Sequence, residues 1–227
     1  MEIDSIIFDL DGTLWNSIAG ICEAWQAVLA KSPNITKAVT PDDMQGCMGL
    51  PMDEIGKKLF PELDEAFQRK LMKEFCETEQ VYLEEHGGML YPKLEETLEK
   101  LSQKYKLFIV SNCQDGYIQA FFKAHSLKKY FSDFECWGVT GLSKGETNKI
   151  IMARNGLKKP IYVGDTNGDA QSAKVAEIPF VYARYGFGKV EEYNYVIDRF
   201  EELLTFNDYL DSPHLKKGLE GNLNLRL

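Results

Sequence analysis

The chain has 227 residues, 44% hydrophobic and 27% charged, which is the composition of an ordinary soluble globular protein with room for one large domain or two smaller ones. Its net charge of −9 and the absence of a dense Lys/Arg run exclude the electrostatic footprint of a nucleic-acid binder. No apolar run approaches the ~18 residues that cross a bilayer, and "MEIDSIIFDL" has no basic leader region. These features predict a cytoplasmic protein with a small-molecule partner.

In chain order, "SIIFD" (5–9) is a continuous apolar run of the kind found in strands buried on both faces. The stretch 16–88 then breaks into helical patterns: "GICEAWQAVLAK", "PMDEIGKKLF" and "DEAFQRKLMKEFCETEQVYLEEHG". It is too long and too patterned for a loop, and predicts an all-helical insertion after the first strand. "HGGMLYP" (86–92), with two glycines and a proline, supplies the return linker and a hinge. Beyond it, "KLEETLEKL" places Leu94, Leu98 and Leu101 on one helical face. "KLFIVSN" (106–112), "FECWGVT" (134–140), "IYVGD" (161–165) and "IPFVYAR" (178–184) then alternate with helical patterns such as "GYIQAFFKAHSL". That rhythm predicts an α/β fold, a Rossmann-like parallel sheet core built from 1–15 and 89–205, with a helical cap at 16–88. The tail, 206–227, carries weak signals and is assigned no function.

Ligands of parallel sheets bind beyond the carboxyl ends of the strands. Asp9 and Asp11 sit there after the first strand, Ser111 and Asn112 after the second, and Asp165 and Asp169 after "IYVG", with Lys144 upstream in "LSKGET". Four clustered carboxylates repel any anion and raise one another's pKa, and a divalent cation relieves both problems. A small all-oxygen set that leaves room for water suits Mg²⁺. With Lys144 and a cation offsetting the charge, the cluster can receive a phosphoryl group: one aspartate attacks phosphorus and a second, two residues on, handles protons. The five cysteines are scattered without a C-x-x-C pair and read as reduced structural thiols. His86, His125 and His214 show no ligand spacing.

"FDLDGTLWNS", "VSN", the lysine of "SKGET" and "VGDTNGD" resemble, in order and spacing, the four motifs of the haloacid dehalogenase superfamily, in its phosphoglycolate-phosphatase-like branch with a helical C1-type cap. The resemblance covers the chain to about residue 205. It implies Asp9 as nucleophile, Asp11 as general acid/base, Ser111 with the Asn112 backbone as phosphate binders, and Lys144 as the brace of phosphoryl oxygens and nucleophile. It further implies Mg²⁺ held by Asp9, the Asp11 carbonyl and Asp165, with Asp169 supporting that set.

Departures from the motifs are Asn16, where an aspartate is common, and "SKGET", where lysine is more often followed by proline, so Lys149 stands as the alternative lysine. Dehalogenases lack the second carboxylate, so Asp11 favours phosphate-ester chemistry. Sugar-phosphate mutases of similar architecture carry a cap histidine where this chain has Ile21, and hydrolysis is therefore favoured over the mutase alternative. The cap loop "GCMGLPMDE" (46–54) is apolar and offers no Arg or Lys before Lys57, leaving a second anionic group such as that of phosphoglycolate without a partner. Trp15 fits hinge packing and a substrate wall equally well. The reading is a Mg²⁺-dependent phosphatase of a small phosphorylated metabolite, monomeric or homodimeric.

Overall fold

A computed structural model describes residues 3–32 and 34–205; the tail at 206–227, His214 included, lies outside the described residues. Six parallel strands form the central sheet: β1 (Ser5–Phe8), β4 (Lys106–Ser111), β5 (Asp133–Cys136), β6 (Pro160–Gly164), β7 (Phe180–Ala183) and β8 (Tyr195–Ile197). Their spatial order is β5-β4-β1-β6-β7-β8. The chain builds outward from β1 on one side and then crosses to the other, so the crevice for a ligand falls at the carboxyl end of β1. Every residue of β1 and β6 is buried, as continuous apolar runs between helical layers require.

Helices α5 (Leu94–Ser102), α6 (Tyr117–His125), α7 (Trp137–Thr140), α8 (Lys144–Asn155) and α9 (Asn167–Val175) connect these strands. Two deserve their local reason. Ser143 caps α8 by accepting from the Glu146 N–H at 3.3 Å, which makes Lys144 the first helical residue. Thr166 and Asp169 form a reciprocal capping box on α9.

The segment between β1 and β4 is helical, as its patterns predict: α1 (Ile18–Leu29), α2 (Pro41–Gln45), α3 (Met52–Leu59) and α4 (Glu65–His86). Trp25 of α1 stacks on Phe75 of α4, ring centroids 4.0 Å apart and planes 2° from parallel, at the centre of this bundle. Its two connections to the core pair as a short antiparallel ribbon, β2 (Trp15–Asn16) with β3 (Met89–Leu90). This ribbon lies where the hinge is expected. Trp15 is fully buried there, edge-on to Tyr117, Phe121 and His125. Of the two roles open to it, packing beside the hinge is the one observed.

Five strand readings change at their ends, and one short strand, β8, is added. "FECWGVT" is strand only to Cys136, the partner of Ser111; residues 137–140 turn into α7 because Gly138 backs onto the 113–115 loop, where a Cβ would meet the Asp115 nitrogen at 2.2 Å. The run at 178–184 pairs only over 180–183, and β8 is an edge strand whose apolar run, Tyr195–Ile197, is only three residues long. The strands read as 5–9, 106–112 and 161–165 each stop one residue earlier, leaving Asp9, Asn112 and Asp165 as the first residues beyond the sheet. All five cysteines are free thiols.

Candidate active site

The residues singled out in the sequence gather at the carboxyl edge of the sheet. Asp9 keeps its N–H on the Val163 carbonyl at 2.8 Å, which locks its Cα to the sheet while its side chain leaves the strand end. Lys144 Nζ donates to Asp9 Oδ1 and to Asp169 Oδ1, each at 2.7 Å, and all three side chains are at most 5% exposed. Lys149, the alternative lysine, is half exposed and pairs with Glu146 instead. Position 144 is therefore the one that delivers an ammonium to the cluster.

Asp165 is held from the other side. Its Oδ2 accepts from the backbone N–H groups of Phe187 at 2.8 Å and Gly188 at 3.3 Å, while Oδ1 faces the Thr13 hydroxyl at 3.5 Å. Sequence reasoning missed this 184–188 turn, whose glycines carried the only local signal. Gly12, at φ +82°, lets the 9–13 loop pass directly over Asp165; a Cβ at this position would fall 2.3 Å from Asp165 Oδ2. Asp169 Oδ2 accepts from the N–H groups of Asp165 and Thr166 and from the Thr166 hydroxyl, at 3.1, 2.9 and 2.7 Å. With Lys144 on its other oxygen, Asp169 is a brace for the lysine and for the 165–166 turn.

Asp9, Asp165 and Asp169 each bring a carboxylate oxygen within 4.8 Å of the others, all three buried. One ammonium among three carboxylates leaves an excess of negative charge. Burial, with the neighbouring carboxylates, drives the Asp9 carboxyl well above its ordinary pKa, and burial with Asp169 pushes that of Asp165 up to about 7. Burial opposes the charge on Lys144, but Asp169 and Asp9 outweigh it and hold the ammonium firmly protonated. An all-oxygen, electron-rich, buried set of this kind fits a hard divalent cation such as Mg²⁺.

Asp11 lies nearer the helical segment. Its Oδ1 accepts from the Ser17 hydroxyl at 2.5 Å and the Tyr117 hydroxyl at 3.0 Å, and burial raises its pKa against those two donors. Ser111 is 4% exposed at the end of β4 and shares a cavity wall with Asp9 and Asp11. Beside it, the Asn112 side chain donates to the Gly49 carbonyl of the 46–54 loop at 2.8 Å, so the apolar cap loop is tied directly to the second motif. Met48, Leu50 and Met52 of this loop face the cavity, which encloses about 40 Å³. Trp15 is not part of its wall, whereas Ile21 and Trp25 of α1 are.

One residue on the wall was not singled out from the sequence. Glu79 of α4 is 2% exposed, and accepts from Trp25 Nε1 and from Gln114 Nε2, each at 2.5 Å. In the sequence it is one of several acidic residues of a long helical pattern, among them Glu77, Glu84 and Glu85, and only its packing distinguishes it.

The class the fold and site define is an α/β protein whose doubly wound sheet presents buried carboxylates and a lysine at its switch point, next to a helical segment inserted after the first strand. A family model described as haloacid dehalogenase-like hydrolase matches residues 6–183, and the chain belongs to that family. It is 27% identical over 223 residues to a phosphoglycolate phosphatase of Aliivibrio fischeri, covering 90% of this chain and 96% of that protein. It is 28% identical over 212 residues to a phosphoglycolate phosphatase of Agrobacterium fabrum, covering 87% and 89%. The fold matches the crystal structure of a predicted phosphoglycolate phosphatase from Haemophilus somnus with TM-score 0.80 at 23% identity, covering 91% and 99% of the two chains. Among the described residues no helix is long and apolar enough to cross a membrane.

Proposed function

We propose that the protein is a phosphatase that hydrolyses small phosphate monoesters through a phosphorylated Asp9. The observation that carries this reading is the Lys144 bridge between Asp9 and Asp169, beside Asp165 and next to a cavity whose wall Asp9 shares with Asp11 and Ser111. The two phosphoglycolate phosphatases named above support the reaction class. Asp9, Asp165 and the Asp11 carbonyl would hold Mg²⁺, with Asp169 behind them; the ion supplies charge neutralisation for an incoming phosphoryl group.

The remaining chemistry belongs to the chain's own side chains. Lys144 keeps Asp9 oriented and offers its charge to phosphoryl oxygens, and the Ser111 hydroxyl with the Asn112 N–H addresses the same group. An Asp9 oxygen forms the bond to phosphorus as the bond to the alcohol oxygen breaks. Asp11, whose carboxyl burial holds toward its protonated form, gives its proton to the departing alkoxide. Water then attacks the phosphorus, Asp11 takes its proton, and the Asp9–phosphorus bond breaks to release phosphate. Docking of the 46–54 loop through Asn112 excludes bulk water during transfer.

Helices 18–86 act as the cap and the remainder as the catalytic core, hinged at the ribbon of 15–16 and 89–90. Ile21 lies in the cavity wall, and no histidine lines that wall among the described residues, which favours hydrolysis over phosphoryl exchange between sugar hydroxyls. Phosphate release from an aryl phosphate, measured with Mg²⁺ and again with EDTA, tests the proposal. Turnover that requires the metal supports it; no phosphate release under either condition refutes it.

A further inference from the structure

The cavity gives a carboxylate no cation to bind, and instead presents one of its own. Its phosphate end is marked by Asp9 and Ser111, so the alcohol half of an ester must extend toward the cap, where Ile21, Met48, Leu50 and Met52 are apolar. Besides the two aspartates and Ser111, the polar side chains of the wall are Asn112, which is bonded to Gly49, Tyr117, which is bonded to Asp11, and Glu79 with its partner Gln114; no lysine or arginine lines it among the described residues. Glu79 is buried on a long cap helix with no ion pair among the described residues. Its two oxygens are fixed by N–H donors from both sides of the closure, Trp25 from the cap and Gln114 from the core. A carboxylate has about four acceptor sites, so these two bonds orient the group without exhausting it.

We propose that Glu79 selects the leaving alcohol: the substrate is a phosphate monoester whose alcohol carries a hydrogen-bond donor, an ammonium or a hydroxyl, and esters whose alcohol ends in a carboxylate are rejected. This rests on the phosphatase reading and adds to it the recognition of the leaving group. Burial, together with the nearby Asp11, pushes the Glu79 carboxyl up to about 7, as expected for a buried acid paired with no cation among the described residues. An ammonium supplies that cation and a hydroxyl supplies a further donor. A carboxylate on the substrate sets like charge against the Glu79 carboxylate, which is a repulsive element as well as a missing attraction. The phosphoglycolate phosphatases similar to this chain share a quarter of its residues, and that likeness leaves room for a different alcohol pocket.

The test compares kcat/KM of the full-length Mg²⁺-loaded protein for 2-aminoethyl phosphate, glycerol phosphate and phosphoglycolate, with an aryl phosphate as the control for phosphatase activity. The expected result is that the aminoethyl or the glycerol ester exceeds phosphoglycolate by about tenfold or more, a difference of one charge-assisted hydrogen bond. Which of the two leads distinguishes ammonium from hydroxyl recognition. Glu79→Gln should shrink that ratio about tenfold, whereas a merely structural role for Glu79 moves all three esters together. In the unsubstituted protein, ethanolamine or glycerol should inhibit aryl phosphate hydrolysis more strongly than glycolate, a readout independent of whether the variant folds. Preference for phosphoglycolate, stronger inhibition by glycolate, or a ratio unchanged in Glu79→Gln overturns the assignment while leaving the phosphatase intact. Failure to hydrolyse the aryl phosphate at all overturns both.

Discussion

Replacing Lys144 by methionine keeps most of the side-chain volume and removes the one ammonium in the carboxylate cluster. Two contacts of 2.7 Å are lost, to Asp9 and to Asp169. At an effective dielectric of about 20, each is worth roughly 6 kcal/mol of gross attraction, most of it cancelled by the desolvation of the three groups. What remains on substitution is the cost of leaving buried carboxylates uncompensated, about 3–5 kcal/mol. The sign of the pH dependence follows from Asp9. A carboxyl whose folded pKa lies above its unfolded value costs stability as pH rises from the unfolded value through the folded one. Asp9 is already on that side, and loss of the ammonium carries it further. Lys144 itself contributes below its unfolded pKa of about 10.4, so between pH 5 and 8 its own titration does not intrude. Urea unfolding in EDTA at pH 5, 6.5 and 8 should therefore show a deficit in Lys144→Met that is largest at pH 8 and shrinks toward pH 5. Added Mg²⁺ should recover part of it, and turnover should fall at least about a hundredfold, as for removal of a preorganised electrostatic group. A variant within about 0.5 kcal/mol of the parent at pH 8, the range of an ordinary surface substitution, would refute the view that Lys144 balances this cluster.

Three other substitutions probe separate parts of the site. Asp9→Asn should abolish phosphate release while leaving the thermal unfolding midpoint equal or higher, because it removes a buried carboxyl that burial and its neighbours already disfavour as an anion. Gly12→Ala places a methyl group 2.3 Å from Asp165 Oδ2 at φ +82°; calorimetry should show it destabilised by about 1–3 kcal/mol, and titration should show weakened Mg²⁺ dependence of turnover. Asn112→Ala cuts the tie to the Gly49 carbonyl; loss of one neutral hydrogen bond of about 1 kcal/mol should raise KM several-fold and expose the 46–54 loop to limited proteolysis.

Much of this molecule is written in short stretches of chain. Continuous runs such as "SIIF" and "IYVG" announce buried parallel strands because both faces of such a strand are covered. Asp9 and Asp165 follow buried strands, Lys144 opens a helix and helices fill most of 18–86, and each of these is likewise suggested by a local pattern. What local pattern does not reveal is where the chain leaves the sheet. Residues 137–140 are as apolar as a strand, yet the close approach of Gly138 to the 113–115 loop turns them into a helix. The choice between Lys144 and Lys149 was likewise open in the sequence, and was decided by which face of α8 meets Asp169.

The alcohol end of the cavity belongs wholly to the tertiary structure. Trp15 stands close to Asp9 and Asp11 in sequence but packs against Tyr117, Phe121 and His125, away from the cavity wall. Glu79 stands 70 positions from Asp9 among several acidic residues of a long helix, and it becomes part of the cavity only because α4 is laid across α1 and the core. The sequence singles out the candidate site residues because side chains at a sheet edge are placed by the strands that precede them. The pocket around the alcohol is assembled from distant elements, whose relative placement is set by packing across the whole lid.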